Sequence, residues 1–283
     1  MKERPIFLLG VGCQKGGTSW LHHYLQHHPQ ADLGLAKEYH FFNGMYAESG
    51  PSVRAYFEQQ LAAAPPDSIL HQHLTHQLSF FEAPKRYYQY FQSLDKGLVG
   101  DITPAYAMLS KDTFTLAKTQ LEAHGFQVKV VFILRDPLER IWSAIRMHKK
   151  IYPQNFINKP TAESDDLAIL KAYNEWHIEV RTRYEKTITN LEAVFSREAL
   201  HYIFYEEFPT PDTMQPLCEF LEIDYIEKDF ATRVNSQSKS TELSLQTCET
   251  VIRHYASTYK FIQGKFGINK VNKIWPNASK LET

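Results

Sequence analysis

The chain has 283 residues, 43% of them hydrophobic, and a formal net charge of −1. This length allows one large α/β domain or two small ones, and we expect a single domain over residues 1–283 because neither a repeat nor a low-complexity linker interrupts it. The balanced charge predicts neither a nucleic-acid nor a membrane partner, and no apolar run is long enough to span a bilayer. Three cysteines without disulfide or zinc spacing favour a reducing, cytoplasmic location.

The N-terminal segment predicts a strand, a glycine-rich turn and a helix, in that order. Residues Pro5 to Gly12, PIFLLGVG, are interpreted as a buried strand and not as a signal peptide, because the apolar run is only about eight residues long. The segment from Thr18 to His28 has the pattern of a helix that ends before Pro29. This order is the usual opening of an α/β nucleotide-binding fold.

The turn itself, GCQKGGTS, predicts a phosphate-binding loop of altered design. Gly12 and Gly17 keep the glycine spacing of a Walker A loop, but Thr18 stands where that loop has its lysine, and Lys15 lies inside the loop. Backbone N–H groups, a lysine ammonium and the hydroxyls of Thr18 and Ser19 are suitable donors to an oxyanion at a helix start. A tight strand–helix turn without a ligand is the alternative.

A second anion site is predicted after the next buried strand, 128–134. Arg135 follows this strand directly, at the edge where open α/β sheets bind ligands, and Pro137 can begin a helix. Ser143 lies about two helical turns further on, so it can share a side with the helix start. In a purely structural interpretation, Asp136 caps the helix and Arg140 pairs with a carboxylate on a solvated face.

The remaining elements are predicted from periodicity. Residues 45–95 indicate short helices and loops. Further along the chain we expect helices over 167–191, 211–221 and 243–266, a strand from Leu200 to Tyr205, and a polar loop over 232–242. No metal site is predicted, because the histidines have no acidic or cysteine partners at ligand spacing; those considered were His23, His27, His71, His73 and His76.

Two segments together resemble the PAPS-dependent sulfotransferases, which have a central parallel sheet flanked by helices in a P-loop nucleotide fold. PAPS is 3′-phosphoadenosine 5′-phosphosulfate. The family pairs K-x-G-T-T/S-x-L with R-D/N-P-x-x-R-x-x-S, and this chain has KGGTSWL at residues 15–21 and RDPLERIWS at residues 135–143. The resemblance implies sulfuryl transfer from PAPS, release of the bisphosphate PAP, and no metal.

The same resemblance implies roles for individual residues. The 5′-phosphosulfate would be held by the loop residues Lys15, Gly16, Gly17, Thr18 and Ser19. Trp20 matches the position that places a ring on the adenine. Arg135 and Ser143 match the residues that hold the 3′-phosphate.

A narrower resemblance, to heparan-sulfate-type and related bacterial sulfotransferases, concerns the acceptor side. KEYHFF at residues 37–42 is similar to their E-x-H-F-F segment, and DITPAY at 101–106 is similar to E-K-S/T-P-x-Y. The first match implies that Glu38 is the catalytic base, with His40 as the alternative. The second match lacks the family lysine, because Ile102 occupies its position. Lys239 is the candidate for a basic loop before the last helix.

The sequence therefore predicts a sulfotransferase acting on a hydroxyl or amine of a small molecule or glycan. Two other readings stay open at this point. A P-loop kinase or NTPase could use Asp136 as a magnesium ligand. A non-catalytic nucleotide- or glycan-binding protein could share the fold. The acceptor and the oligomeric state are not predicted.

Overall fold

The structure is a computed structural model and describes residues 4–151, 164–228 and 242–281. Its centre is a five-stranded sheet formed by β1 (Ile6–Gly12), β2 (Ala31–Asp32), β3 (Leu98–Ile102), β4 (Gln127–Leu134) and β5 (Leu200–Phe204). The strand order is β2-β3-β1-β4-β5, and every neighbouring pair is parallel. The predicted α/β architecture with a central parallel sheet is confirmed.

Helices cover both faces of this sheet. They are α1 (Thr18–Gln26), α2 (Phe41–Tyr46), α3 (Gly50–Ala63), α4 (Ile69–Glu82), α5 (Lys85–Ser93), α6 (Lys111–Ala123), α7 (Pro137–Ile151), α8 (Asp165–Ala172), α9 (Trp176–Glu179), α10 (Tyr184–Glu192), α11 (Pro211–Leu221), α12 (Leu245–His254), α13 (Ala256–Phe266) and α14 (Ile268–Ile274). Short 3₁₀ turns occupy Pro104–Met108, Arg197–Ala199, Tyr205–Glu207 and Ala278–Leu281. Within the described ranges, none of these helices has the length and apolar character needed to cross a bilayer.

Alternating side chains of β1 separate the core into two clusters. Phe7, Leu9 and Val11 belong to the larger cluster, whereas Ile6 and Leu8 belong to the smaller one. Successive side chains of a strand point to opposite faces, so β1 is buried on both sides. This explains why its sequence is continuously apolar, as the prediction of a buried strand required.

Helix boundaries were predicted less well than strands. Residues 45–95 contain two helices of 14 residues, α3 and α4, where we expected only short ones. The helix predicted over 167–191 is divided into α8, α9 and α10. Side chains compete for the backbone there: the carbonyl oxygen of Ile178 accepts hydrogen bonds from Thr182 Oγ1 at 2.6 Å and Arg140 Nη2 at 3.2 Å. The helix predicted over 243–266 is divided at Tyr255.

Candidate active site

Three connections leave the carboxyl edge of the sheet side by side. The strands β3, β1 and β4 are neighbours in the sheet. The glycine loop follows β1, a turn that begins at Thr103 follows β3, and a turn that begins at Arg135 follows β4; we call the last two the Thr103 turn and the Arg135 turn. Parallel strands place their carboxyl ends at one edge, where ligands of open α/β sheets bind. The predicted donor segments and the segment around Asp101 therefore converge.

The backbone of the glycine loop explains why glycine is needed there. Gly17 precedes α1 with φ of 89°, in the left-handed region, and a Cβ at this position would lie 3.3 Å from the rings of Tyr205 and Phe208. A Cβ on Gly16 would lie 2.7 Å from Cys13 Sγ. Thr18 is buried and Ser19 is half-buried in the first turn of α1.

Arg135 joins the two predicted phosphate segments directly. Its Nη1 donates a hydrogen bond of 2.7 Å to the carbonyl oxygen of Lys15, 120 residues away in the chain. The guanidinium carbon lies 4.3 Å from the centre of the Tyr205 ring, and the Tyr184 hydroxyl donates to the Arg135 carbonyl at 2.8 Å. Within the described part of the chain, Arg135 Nε is buried and has no hydrogen-bond partner.

The electrostatic surroundings of Lys15 favour an anion. Burial lowers the pKa of Lys15, and the positive charges of Arg135, Lys37 and Arg146 lower it further. Like charges held this closely repel each other, and a bound phosphosulfate would relieve that repulsion. The residues present therefore suit a dianionic ligand at this edge.

Asp136 caps α7, as the structural interpretation predicted. Its Oδ1 accepts hydrogen bonds from the backbone N–H groups of Leu138 at 3.0 Å and Glu139 at 3.3 Å. It also accepts a 2.8 Å bond from the Tyr259 hydroxyl. Burial outweighs these hydrogen bonds and raises the pKa of Asp136 to about 6.

The C-terminal helices also hold the Arg135 turn. Glu206 Oε1 accepts a 3.0 Å hydrogen bond from the backbone N–H of Asp136, and Glu206 Oε2 accepts one of 2.8 Å from Trp275 Nε1. Together with the Tyr259 contact, these bonds connect the turn after β4 with residues more than 120 positions later.

The expectation that Arg140 lies on a solvated face is wrong. Its exposed fraction is 0%, and Nη2 donates to the carbonyl oxygen of Ile178. Helix α7 turns this side chain inward, because the helix is buried on almost all sides in its first three turns. Ser143 is also buried on α7, two turns after Pro137.

Glu38 lies in a charged cluster with Lys37 and His40. Its Oε1 is 2.5 Å from Lys37 Nζ and its Oε2 is 3.3 Å from His40 Nε2. Gln77 fixes the backbone by donating to the Glu38 carbonyl at 2.8 Å. Burial acts to raise the pKa of Glu38, but His40 and Lys37 together outweigh it and lower the pKa to about 2. The carboxylate is therefore ionised at neutral pH.

A buried carboxylate positions this segment. Asp101 accepts hydrogen bonds from the hydroxyls of Thr103, Tyr106 and Tyr87 at 2.6, 2.5 and 2.9 Å. The backbone N–H of Tyr39 donates to the same carboxylate at 3.4 Å. These contacts tie the chain between Glu38 and His40 to β3, and Asp101 has no exposed surface for a substrate.

Two predicted residues stand apart from the charged groups. Ile102 is buried against Gly10, so the family lysine has no counterpart at that position. Trp20 is 8% exposed and its ring stacks on Tyr24, with centroids 5.5 Å apart. Its contact with adenine stays a prediction. Lys239 lies outside the described residues.

The sequence interpretation missed several basic residues in the region of Lys15, Glu38 and Arg140. Arg181 is one: burial and the charge of Arg140 lower its pKa to about 10, whereas the Glu38 carboxylate acts to raise it. Arg146, His148 and His177 are others. No motif marks them, because they follow from how α7 and α9 pack. The described ranges contain no group of histidine, cysteine, aspartate and glutamate side chains that could hold a metal ion.

Comparison with known proteins is consistent with this geometry. The model of the Sulfotransferase family matches residues 5–227. The membrane-associated sulfotransferase kil1 of Dictyostelium discoideum is 28% identical to this chain over 136 residues. These residues are 48% of this chain and 21% of kil1, so the match spans about a fifth of that relative's length. The crystal structure of a sulfotransferase from Alicyclobacillus acidocaldarius has the same fold, with a TM-score of 0.56, 21% identity, and coverage of 92% of this chain and 95% of that one.

Proposed function

Because the chain belongs to the Sulfotransferase family, we propose that it transfers a sulfuryl group from PAPS to a hydroxyl or amine acceptor and releases PAP. The observation that carries this proposal is the 2.7 Å hydrogen bond from Arg135 to the Lys15 carbonyl. It joins the two segments that match the donor motifs into one cationic site. The acceptor is a small molecule or a glycan. The cysteines at 13, 218 and 248 are unpaired thiols, which supports a cytoplasmic enzyme.

In this proposal the donor lies across the carboxyl edge of the sheet. Lys15, the Gly17 N–H group and the start of α1 hold the 5′-phosphosulfate, whereas the Gly16 N–H donates to the Cys13 carbonyl at 3.0 Å and shapes the loop. Arg135 and Ser143 hold the 3′-phosphate. Glycine at these two positions lets the loop pack closely against the protein, because side chains at Gly16 and Gly17 would meet protein atoms within 3.3 Å.

Transfer then needs one proton acceptor and one site for the leaving charge. The acceptor oxygen or nitrogen attacks sulfur, the bond from sulfur to the phosphate oxygen breaks, and PAP leaves with the electron pair. Glu38, ionised at neutral pH, accepts the proton that the attacking atom loses. Lys15 and the loop N–H groups stabilise the charge that grows on the 5′-phosphate. His40 lies 3.3 Å from Glu38 and is the alternative base.

The role of Asp136 weighs against a kinase. Its Oδ1 already accepts three hydrogen bonds, from Leu138, Glu139 and Tyr259, and the side chain is buried. A magnesium ligand must present an oxygen to the nucleotide and to water. We expect immobilised PAP to retain the protein and ATP with magnesium to fail to elute it.

A Lys15→Ala variant tests the proposed function. In an acceptor screen with radiolabelled PAPS, we expect it to lower turnover by about 100-fold or more, the usual effect of removing an electrostatic transition-state group. Lys96→Ala is the control, because Lys96 precedes β3 at the opposite edge of the sheet and donates to the Pro29 carbonyl. Turnover within a few-fold of wild type for the Lys15 variant would contradict the loop assignment. Absence of turnover with every acceptor, despite PAP binding, would favour the non-catalytic alternative.

A further inference from the structure

The hydrogen bonds at the buried Asp101 carboxylate have a fixed direction. A backbone N–H group can only donate, so the Thr103 hydroxyl accepts from the His40 N–H at 3.3 Å and must use its own proton to donate to Asp101 at 2.6 Å. The Tyr106 hydroxyl accepts from the Phe42 N–H at 3.4 Å in the same way and donates to Asp101 at 2.5 Å. Each hydroxyl therefore links one backbone group to the carboxylate, which accepts at both oxygens.

These links end on the segment that carries the proposed base, residues 38–42, which we call the base segment. Tyr39 donates to Asp101 directly at 3.4 Å, so three N–H groups of the base segment are held by one carboxylate, directly or through a hydroxyl. His40 has φ of 54°, in the left-handed region that residues other than glycine rarely adopt. Such a conformation persists where surrounding contacts determine it. The hydrogen bonds to Asp101 provide contacts on both sides of His40.

The Thr103 turn also contacts the proposed donor loop. A Cβ on Gly12 would lie 3.1 Å from the Pro104 carbonyl oxygen and 3.6 Å from Ala107 Cβ. The glycine loop begins at Gly12, so its first residue lies directly against this turn. The strands before the two segments, β1 and β3, are hydrogen-bonded neighbours in the sheet. One short segment after β3 is thus in contact with the base segment and with the donor loop.

We propose that Asp101 and Thr103 are positioning residues, which hold the base segment at a fixed distance from the donor loop. This inference rests on the proposed function, in which Glu38 takes a proton while Lys15 holds the phosphosulfate. His40 Nε2 lies 3.3 Å from Glu38 Oε2, so a shift of the His40 backbone moves a partner of the base together with the base. Reaction rates depend steeply on such placement, since a displacement of about 1 Å can cost about 100-fold.

Three single hydroxyl deletions test this proposal. Replacing Asp101 itself would leave all of its donors without an acceptor, so the hydroxyls are removed one at a time. Thr103→Val releases the His40 N–H, and Tyr106→Phe releases another N–H group of the base segment. Tyr87→Phe is the matched control: the Tyr87 hydroxyl donates to Asp101 at 2.9 Å but, within the described part of the chain, accepts no N–H from the base segment.

Amide hydrogen exchange measures these links without an acceptor or a nucleotide. In the full-length protein, followed by NMR, we expect the His40 N–H to exchange about fivefold faster or more in Thr103→Val, and the Phe42 N–H in Tyr106→Phe. Neither group should exchange faster in Tyr87→Phe. Equal acceleration of both groups in all three variants would overturn the inference, because the hydroxyls would then stabilise the fold as a whole and not the base segment.

Turnover separates this inference from the proposed function. Thr103→Val should lower kcat about tenfold or more with KM and PAP affinity changed only a few-fold, and Thr103→Ser, which keeps the hydroxyl, should regain most of that loss. If Thr103→Val loses no more kcat than Tyr87→Phe although Glu38→Gln is impaired, the positioning role is wrong and the sulfotransferase proposal stands. If the wild type sulfates no acceptor, the proposed function fails, and the exchange pattern alone decides whether Asp101 holds the base segment.

Discussion

Replacing Arg135 by alanine separates donor recognition from loop support. The change removes the proposed contact with the 3′-phosphate and also the 2.7 Å hydrogen bond to the Lys15 carbonyl. PAP has both phosphates, whereas adenosine 5′-phosphosulfate lacks the 3′-phosphate. The two nucleotides therefore report on different parts of the loss: PAP loses both interactions, and adenosine 5′-phosphosulfate loses only the support of the loop.

The expected magnitudes differ accordingly. A charge-assisted contact with a phosphate contributes about 1.5–3 kcal/mol, or roughly 12- to 160-fold in Kd. The bond to the Lys15 carbonyl contributes less, about 0.5–1.5 kcal/mol or roughly 2- to 12-fold, because water can replace it in the half-buried loop. PAP affinity should thus fall about tenfold or more further than the affinity for adenosine 5′-phosphosulfate.

Calorimetry with both nucleotides measures this difference. Glu139→Gln is the control: it removes the carboxylate that lies 3.8 Å from Arg135 Nη2, and PAP binding should stay the same or become slightly tighter. Equal losses for the two nucleotides in Arg135→Ala would refute the reasoning, because they would mean that Arg135 acts only through the loop.

Three further outcomes follow from the site. Glu38→Gln should lower kcat about 10²- to 10⁴-fold with near-normal PAP affinity, and His40→Ala is the comparison. If the His40 variant is inactive and the Glu38 variant stays active, His40 and not Glu38 is the base. Because the folded-state pKa of Asp136 is raised from 3.8 to about 6, its contribution to stability is complete below pH 3.8 and is lost as pH rises through 6, by about 3 kcal/mol. In denaturant titrations at pH 4 and pH 7, Asp136→Asn should reduce the loss of stability by about that amount; Glu206, whose pKa burial raises to about 7, continues to contribute in the same range. Arg140→Met should keep or raise Tm, and a large fall in Tm would contradict our account of its burial.

Local patterns predicted the strand, loop and helix that carry the proposed donor site. Strand, glycine loop and helix succeed one another within residues 6–26, so their order is visible in the sequence. The cap at Asp136 was predictable for the same reason. Both depend on neighbours in the chain, and the hydrogen bond between Arg135 and Lys15 then follows from two strands that are adjacent in the sheet.

The surroundings of Glu38, the proposed base, depend on packing that no local pattern encodes. We expected Arg140 to pair with a carboxylate on a solvated face, yet α7 is enclosed and the side chain is buried. The approach of Arg181 to Glu38 requires α9 to end near residue 179, whereas periodicity favoured one continuous helix. The break involves the Ile178 carbonyl, whose hydrogen bonds come from Thr182 and Arg140.

The support of the Arg135 turn by residues late in the chain has a consequence for biosynthesis. Tyr259 donates a hydrogen bond to Asp136, and Glu206 accepts one from the Asp136 backbone N–H and one from Trp275. The turn after β4 leaves the ribosome long before α13 and α14 are made, so the nascent chain carries an Arg135 turn without its supports. Affinity for the nucleotide should therefore arise late during translation, after Trp275 has emerged. A truncated protein that lacks α13 and α14 should likewise lose nucleotide binding, although Arg135 and Lys15 remain in its chain.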